Sequence, residues 1–295
     1  MATEAVVERR SAGRRLADFF HGRPRLQVGA LLAGPVGWLV VGYLGSLAIL
    51  LIAAFWSVNP VSGELQKSLS FENFETLFDE PVYRTIVFRT VLIAALVTIT
   101  DAILAFPIAF YMAKLASRRG KAILVVAVLL PLWSSYLVKV YSWRTMLSAG
   151  GVINWALEPF GLSGPGFGAT AVWLVMSYLW LPYMILPIYA GLERIPNSLI
   201  SASEDLGASP FTTFRRVILP LAFPAVVAGS IFTFALTLGD YITPRLVSND
   251  QFIGNVIFNN ISNNLPFASA LALVPIVVMI AYLLVARKLG AFEHI

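Results

Sequence analysis

The chain has 295 residues, 58% of them hydrophobic and 13% charged, whereas a soluble domain carries about 25% charge. So apolar a composition exceeds the needs of one soluble core and points to an all-α, polytopic membrane protein. The absence of cysteine excludes disulfides, thiolate metal sites and cysteine nucleophiles, and the only two histidines, His21 and His294, sit near the ends. No catalytic or metal site is therefore expected. The net charge of +5 is weak evidence for nucleic acid, because basic residues in such chains usually mark cytoplasmic loops.

Residues 1–27 form a basic N-terminal tail, expected in the cytoplasm, and residues 28–295 form the membrane domain. The tail reads either as an amphipathic helix drawn to anionic lipid or as a solvated flank that only sets topology. A spanning helix needs roughly 20 mainly apolar residues. Six segments qualify: Val28–Trp56, Ile86–Met112, Ala122–Leu147, Ala171–Leu192, Pro220–Asp240 and Pro266–Ala286. The first has an apolar run too long for a cleaved signal peptide and reads as a retained anchor. Lys114, Arg118, Arg119 and Lys121 lie between spans two and three, and Arg287 and Lys288 follow span six. With the arginines of the tail, this bias places both termini in the cytoplasm. The acidic segment Glu64–Glu80 then faces outward. The Gly/Pro-rich stretch Gly161–Gly168 reads as an outer loop and not as a phosphate cradle, since it lacks the Lys-Ser/Thr ending.

Between spans four and five, at about residues 194–219, lies a polar, turn-punctuated loop. Asn197 or Ser198 can cap a short helix there. Gly207 permits the positive φ that closes it. Ser209 and Pro210 open a second short helix as cap and first residue, and Pro220 begins the next span. Small residues Ala202, Ser203, Gly207 and Ala208 suit a plug that enters a groove. The plainer reading is an ordinary interhelical loop.

This loop resembles the coupling loop of ABC-importer permeases, written E-A-A-x3-G-x9-I-x-L-P. Ser201-Ala202-Ser203 fills the first three positions, Gly207 is the glycine, Val217 fills the isoleucine, and Leu219-Pro220 closes the pattern. Ser201 and Ser203 depart from the usual residues, while the Gly207–Pro220 spacing is intact. Three further stretches narrow the resemblance to spermidine/putrescine-type permeases: Leu130 to Trp143, Leu181 to Pro187, and Leu238-Gly239-Asp240-Tyr241-Ile242-Thr243-Pro244. The glycine pair that commonly follows the last of these is replaced by Val247-Ser248-Asn249-Asp250. The resemblance covers about Thr85 to Ala286. It implies a type I ABC-importer permease of a prokaryotic inner membrane. An ABC ATPase dimer would seat on Ser201, Ala202, Ser203, Leu206, Gly207, Ala208, Ser209 and Pro210. A second related permease would complete the pathway, and an extracytoplasmic solute-binding protein would deliver a small organic solute, with polyamine the leading candidate. No cofactor is expected on this chain; ATP and magnesium belong to the ATPase.

Six residues are candidates for the solute path. Asp240 and Tyr241 end span five, where a carboxylate beside an aromatic ring suits an ammonium group; the structural alternative pairs Asp240 with Arg245. Asp101 lies in mid-span, where an unpaired carboxylate is costly, and reads equally as a path contact or a structural partner. Trp133, Tyr136 and Tyr141 serve as path aromatics or as members of an interface belt. Lys139 and Arg144 argue against a purely acidic funnel; they snorkel outward or pair with Asp79, Glu80 or Glu158. Pro107, Pro182, Pro187 and Pro275 fall inside spans and loosen them. Two other classes compete. A secondary transporter would need ion-coupling carboxylates and would have no use for the plug. A membrane enzyme would need a nucleophile or metal cluster that the composition does not supply.

Overall fold

The computed structural model describes residues 24–59 and 62–288; most of the basic tail, with His21, and the last seven residues, with His294, lie outside them. The chain divides into two compact units, Met1–Ala53 and Ala54–Ile295.

The described residues of the first unit form one helix in three pieces: α1 (Pro24–Trp38), a π-helical turn at Leu39–Leu44, and α2 (Gly45–Ala53). Leu31–Ala53 is long and apolar enough to cross a bilayer. Pro35 sits inside it, as prolines do in membrane helices whose neighbours re-satisfy the freed backbone. Leu31, Trp38 and Val41 are exposed along its length.

The second unit opens with a two-residue-per-strand hairpin, β1 (Ser57–Val58) antiparallel to β2 (Leu65–Gln66), with Ser57 opposite Gln66. The short helix α3 (Glu72–Asp79) holds that hairpin in place, because the buried Asn73 amide donates to the carbonyls of Ala54 (3.0 Å) and Trp56 (2.7 Å). Then follow α4 (Pro81–Phe110) with a π turn at Tyr111–Leu115, α5 (Arg118–Trp133), α6 (Tyr136–Leu147), α7 (Val152–Leu157) with a 3₁₀ turn, and α8 (Ala169–Arg194). The loop helices α9 (Asn197–Asp205) and α10 (Pro210–Thr213) lead through a π turn at Phe214–Ile218 into α11 (Leu219–Gly239). The chain ends in α12 (Ile242–Val247), α13 (Ile253–Asn260) and α14 (Leu265–Lys288).

Helices α4, α8 and α11 pack on one another as the centre of the unit. Lipid tails are as apolar as leucine, so close backbone approach rather than water exclusion holds such helices together. Small residues accordingly line the seams: Ala94, Ala105, Ala109 and Ala222 are fully buried, and a Cβ on Gly229 would lie 2.8 Å from the Met184 sulfur.

Among the described residues, five helices are individually long and apolar enough to cross a membrane, and the pair α5–α6 supplies a sixth crossing if counted as one bent span. The sequence predicts a continuous third span over Ala122–Leu147; instead α5 and α6 meet at 89°. Pro131 lies in the last turn of α5 and leaves carbonyls without helical donors. Ser134 and Ser135 are extended. The carbonyl of Pro131 is taken by the Ser134 hydroxyl (2.8 Å) and by the Lys139 ammonium (3.0 Å). Lys139 therefore neither snorkels nor pairs with an acid; it caps the broken end of α5. Helix α5 has 16 residues, against 26 in α8. Its start is joined to the end of α8 by Lys121–Glu193 at 2.8 Å, and the residue after the break, Tyr136, reaches Asp240 at the far end of α11. The fifth span is longer than Pro220–Asp240, because helix continues back to Pro210.

Candidate functional site

At one end of the unit, α9 and α10 make the compact turn anticipated for Ser201–Pro210. Helix α9 ends in a Schellman motif: Gly207 N–H donates to the Glu204 carbonyl (2.8 Å) and Ala208 N–H to the Ser203 carbonyl (3.1 Å). Gly207 sits at φ +78°, a left-handed conformation that costs other residues roughly 1–2 kcal/mol. The Ser209 hydroxyl accepts from Thr212 N–H at 3.3 Å and Pro210 opens α10, as expected of a cap and first residue. Ser203 and Thr213 hydroxyls, 2.9 Å apart, bind α9 to α10. Asn197 does not act as the predicted cap. It is already helical behind Pro196, and its side chain accepts instead from Lys114, at 3.2 Å. The turn exposes what it should hide in isolation: Leu206 is 88% and Phe211 70% accessible, and Ser201, Ala202 and Ser209 are exposed beside them.

At the other end of α11, Asp240 follows the last helical turn and is bound on both carboxylate oxygens. Oδ1 accepts from the backbone N–H of Ile242 (2.9 Å) and Thr243 (3.3 Å), which fixes the turn into α12. Oδ2 accepts from the Tyr136 hydroxyl (2.5 Å) and the Thr243 hydroxyl (2.6 Å). Arg245 is not a partner; its guanidinium lies over Phe258, 5.0 Å from the ring centroid. The Tyr136 ring stacks on Trp180 at 6.0 Å between centroids, so a carboxylate, a phenol and an indole form one node from α11, α6 and α8. Tyr241 stacks on Phe258 at 4.6 Å, and its carbonyl accepts from Asn255 at 2.9 Å. Helix α13 comes so close to this turn that a Cβ on Gly254 would lie 2.9 Å from the Asp240 carbonyl oxygen. The node borders a recess of about 400 Å³ lined by Tyr136, Trp180, Ala235, Leu236, Gly239, Asp240 and Tyr241.

Of the six path candidates, Asp240, Tyr241 and Tyr136 come together here. Trp133, 84% exposed, and Tyr141, 52% exposed, are absent from the walls of the recess. Asp101 is elsewhere again. It is wholly buried on α4, and neither oxygen has a hydrogen-bond partner among the described residues. The sequence reading missed Trp180, Thr243, Gly254 and Lys114. Thr243 sits in the quoted span-five motif and could have been found there; the other three carry no local signal.

Residues 81–290 match the family described as binding-protein-dependent transport system inner membrane component. The chain is 43% identical over 297 residues, 95% of each protein, to the inner membrane ABC transporter permease protein YdcU of Escherichia coli (strain K12). It is 32% identical over 213 residues, 70% of this chain and 74% of the relative, to the spermidine/putrescine transport system permease protein PotB of Haemophilus influenzae. A solved bacterial ABC transporter involved in the import of the acidic polysaccharide alginate shares the fold, with a TM-score of 0.72, 93% of this chain and 98% of that one covered, and 20% identity. The architecture is thus the type I ABC-importer permease fold. The chain belongs to the family of binding-protein-dependent transport system inner membrane components, as a multi-pass permease subunit of an ABC importer.

Proposed function

We propose that this permease carries a polyamine, spermidine or putrescine, along a path that passes the Asp240 node. One observation carries the reading: a recess at the end of α11 holds a single carboxylate among Tyr136, Trp180 and Tyr241. An alkylammonium is attracted both by charge and by aromatic faces, and such a wall offers both. The name of the Haemophilus relative supports the same class of solute. Asp240 and Tyr241 would meet the cation, with Tyr136 holding the carboxylate. Asp101, Trp133 and Tyr141 would join the path only in another conformation or beside a second permease subunit.

The remaining machinery follows from the loop. An ABC ATPase dimer, holding ATP and magnesium, seats on the α9–α10 turn. The exposed Leu206 and Phe211 supply its apolar contact, and the small residues Ala202, Ser203 and Ala208 allow close approach. Both termini lie in the cytoplasm on the Lys/Arg bias, so the Asp240 end faces a solute-binding protein outside. ATP binding shifts the pore between inward- and outward-facing states. This chain does no chemistry of its own. The test is uptake of radiolabelled spermidine and putrescine by proteoliposomes containing the purified importer and its binding protein. ATP-dependent uptake that both polyamines compete for is the expected result. ATP-dependent uptake of neither polyamine overturns the substrate assignment, and uptake driven by an ion gradient without ATP overturns the importer reading.

A further inference from the structure

The α9–α10 turn is fastened to the rest of the unit at both of its ends, and both fastenings are on the second span. At the start of the turn, the Lys114 ammonium donates to the Ile195 carbonyl at 2.5 Å and to Asn197 Oδ1 at 3.2 Å. Ile195 immediately follows α8 and Asn197 opens α9, so one cation bridges the end of one helix and the beginning of the next. A cation at a helix C-terminus also complements its unpaired carbonyls. At the end of the turn, Phe214 meets the edge of Phe106, with centroids 5.5 Å apart. Phe106 and Lys114 both belong to the α4 span, and Lys114 lies in its terminal π turn. Beneath them Met112, Ile195 and Ile218 are buried in one cluster.

We propose that Lys114 is a positioning residue that ties the α9–α10 turn to the inner end of α4, so that the turn and the second span move as one body. The proposal rests on the reading of that turn as the ATPase docking site. Displacement of the turn then reaches α4 directly, and α4 is packed along α8 and α11, which carry Trp180 and the turn to Asp240. The ammonium is suited to this task because it has two acceptors, one of them a backbone carbonyl that no substitution on the loop removes. The neighbouring Lys121–Glu193 pair lies on the surface, where such pairs contribute little, and serves as the control.

The chain has no native cysteine, so nitroxide labels can be placed cleanly at Ser117 and Ser198, both exposed. Their distance distribution is measured by pulsed electron resonance in the purified importer, with and without trapped ATP. The parent, Lys114→Arg and Lys121→Gln should give one narrow distance that is the same in both states. Lys114→Gln should broaden it and lower ATP hydrolysis per complex roughly tenfold, the loss expected for charge-assisted hydrogen bonds. A narrow distribution in Lys114→Gln overturns the tether. Should that variant fail to reach the membrane, Lys114→Met decides, because it keeps the aliphatic stem and removes the ammonium from both acceptors; an unchanged distribution there overturns the tether equally. The docking role fails separately: ATP hydrolysis unaltered by Gly207→Val would remove it, whatever the distances report.

Discussion

The Tyr136 hydroxyl lies 2.5 Å from Oδ2 of Asp240, and this bond joins the residue just past the break in the third span to the residue just past α11. Tyr136 opens α6 and Asp240 follows the end of α11, so the bond fastens the start of one helix to the end of another. Tyr136→Phe keeps the ring on Trp180 and removes only the donor. It should cost about 1–3 kcal/mol, the range for a hydrogen bond to a charged group. Asp240→Asn disturbs four hydrogen bonds at once and should cost at least as much. The two losses should be strongly non-additive, because both act on one network. If Asp240 also meets the solute cation, Asp240→Asn raises the apparent KM for spermidine beyond what Tyr136→Phe does. Arg245→Gln should be mild, since it loses a contact with Phe258 of about 0.5–1 kcal/mol and not an ion pair. Thermal melts with uptake kinetics on the parent, the three single variants and the Tyr136→Phe/Asp240→Asn double variant check this; an Arg245→Gln loss equal to that of Asp240→Asn would restore the Asp240–Arg245 pairing.

Gly207 and Leu206 separate folding of the α9–α10 turn from the docking proposed for it. A Cβ at Gly207 meets nothing within 4 Å, so the cost of Gly207→Ala is backbone strain alone, about 1–2 kcal/mol. Gly207→Val adds a β-branched side chain and should uncouple ATP hydrolysis while the protein still reaches the membrane. Leu206 is 88% exposed and supports nothing within the chain. Leu206→Glu should leave the melting temperature of the isolated permease unchanged and abolish co-purification of the ATPase subunits. Retention of the ATPase by this variant would place the docking surface elsewhere. Ser201→Ala should be mild in both assays.

The residues that announce themselves act over short distances. Apolar runs place the spans; Gly207, Ser209 and Pro210 each do locally what their chemistry requires. The break at Ser134–Ser135 was not legible, because hydropathy registers apolar length and not direction. Proline alone gives no warning, since Pro107, Pro182, Pro187 and Pro275 all remain inside helices. What distinguishes Pro131 is the extended Ser-Ser pair behind it and the Lys139 ammonium folding back onto its carbonyl. The long-range partners were equally hidden. Lys114 reads as one more positive charge on a cytoplasmic loop, and Gly254 as one more small residue. Only the packing of α13 on the Asp240 turn shows why no side chain fits there.

Asp101 is buried at 0% exposure with both oxygens unpartnered among the described residues. An unpaired buried polar group penalises the folded state, and its replacement by an apolar group of similar shape can be neutral or stabilising. Asp101→Leu should therefore melt at or above the parent temperature, with a gain of up to about 1–3 kcal/mol. If the carboxylate faces the cation during transport, the same variant loses uptake despite its stability. Paired melting and uptake measurements distinguish the cases. A clear fall in stability would reveal a structural partner for the carboxylate, and unchanged uptake would remove Asp101 from the path.

The orientation proposed from Lys and Arg has a direct test that the cysteine-free chain makes simple. Ser68, Ser163, Asn249, Ser117 and Ser209 are all exposed, so a cysteine at any of them is open to reagent. The α5–α6 break matters here, because a re-entrant pair would return the chain to the side it came from. The contacts argue otherwise. Helix α5 begins beside the end of α8, through Lys121–Glu193, and the chain beyond its break reaches Asp240 at the opposite end; Gly168, which precedes α8, donates to Val247 of α12 at 2.9 Å. The expected outcome is therefore a third span that crosses, with six crossings and both termini on one side. Cysteines at Ser68, Ser163 and Asn249 should react with an impermeant maleimide in intact cells. Those at Ser117 and Ser209 should react only after permeabilisation. Labelling of Ser163 on the same side as Ser117 would make α5–α6 re-entrant and would put the Asp240 recess and the α9–α10 turn in a different relation to the membrane.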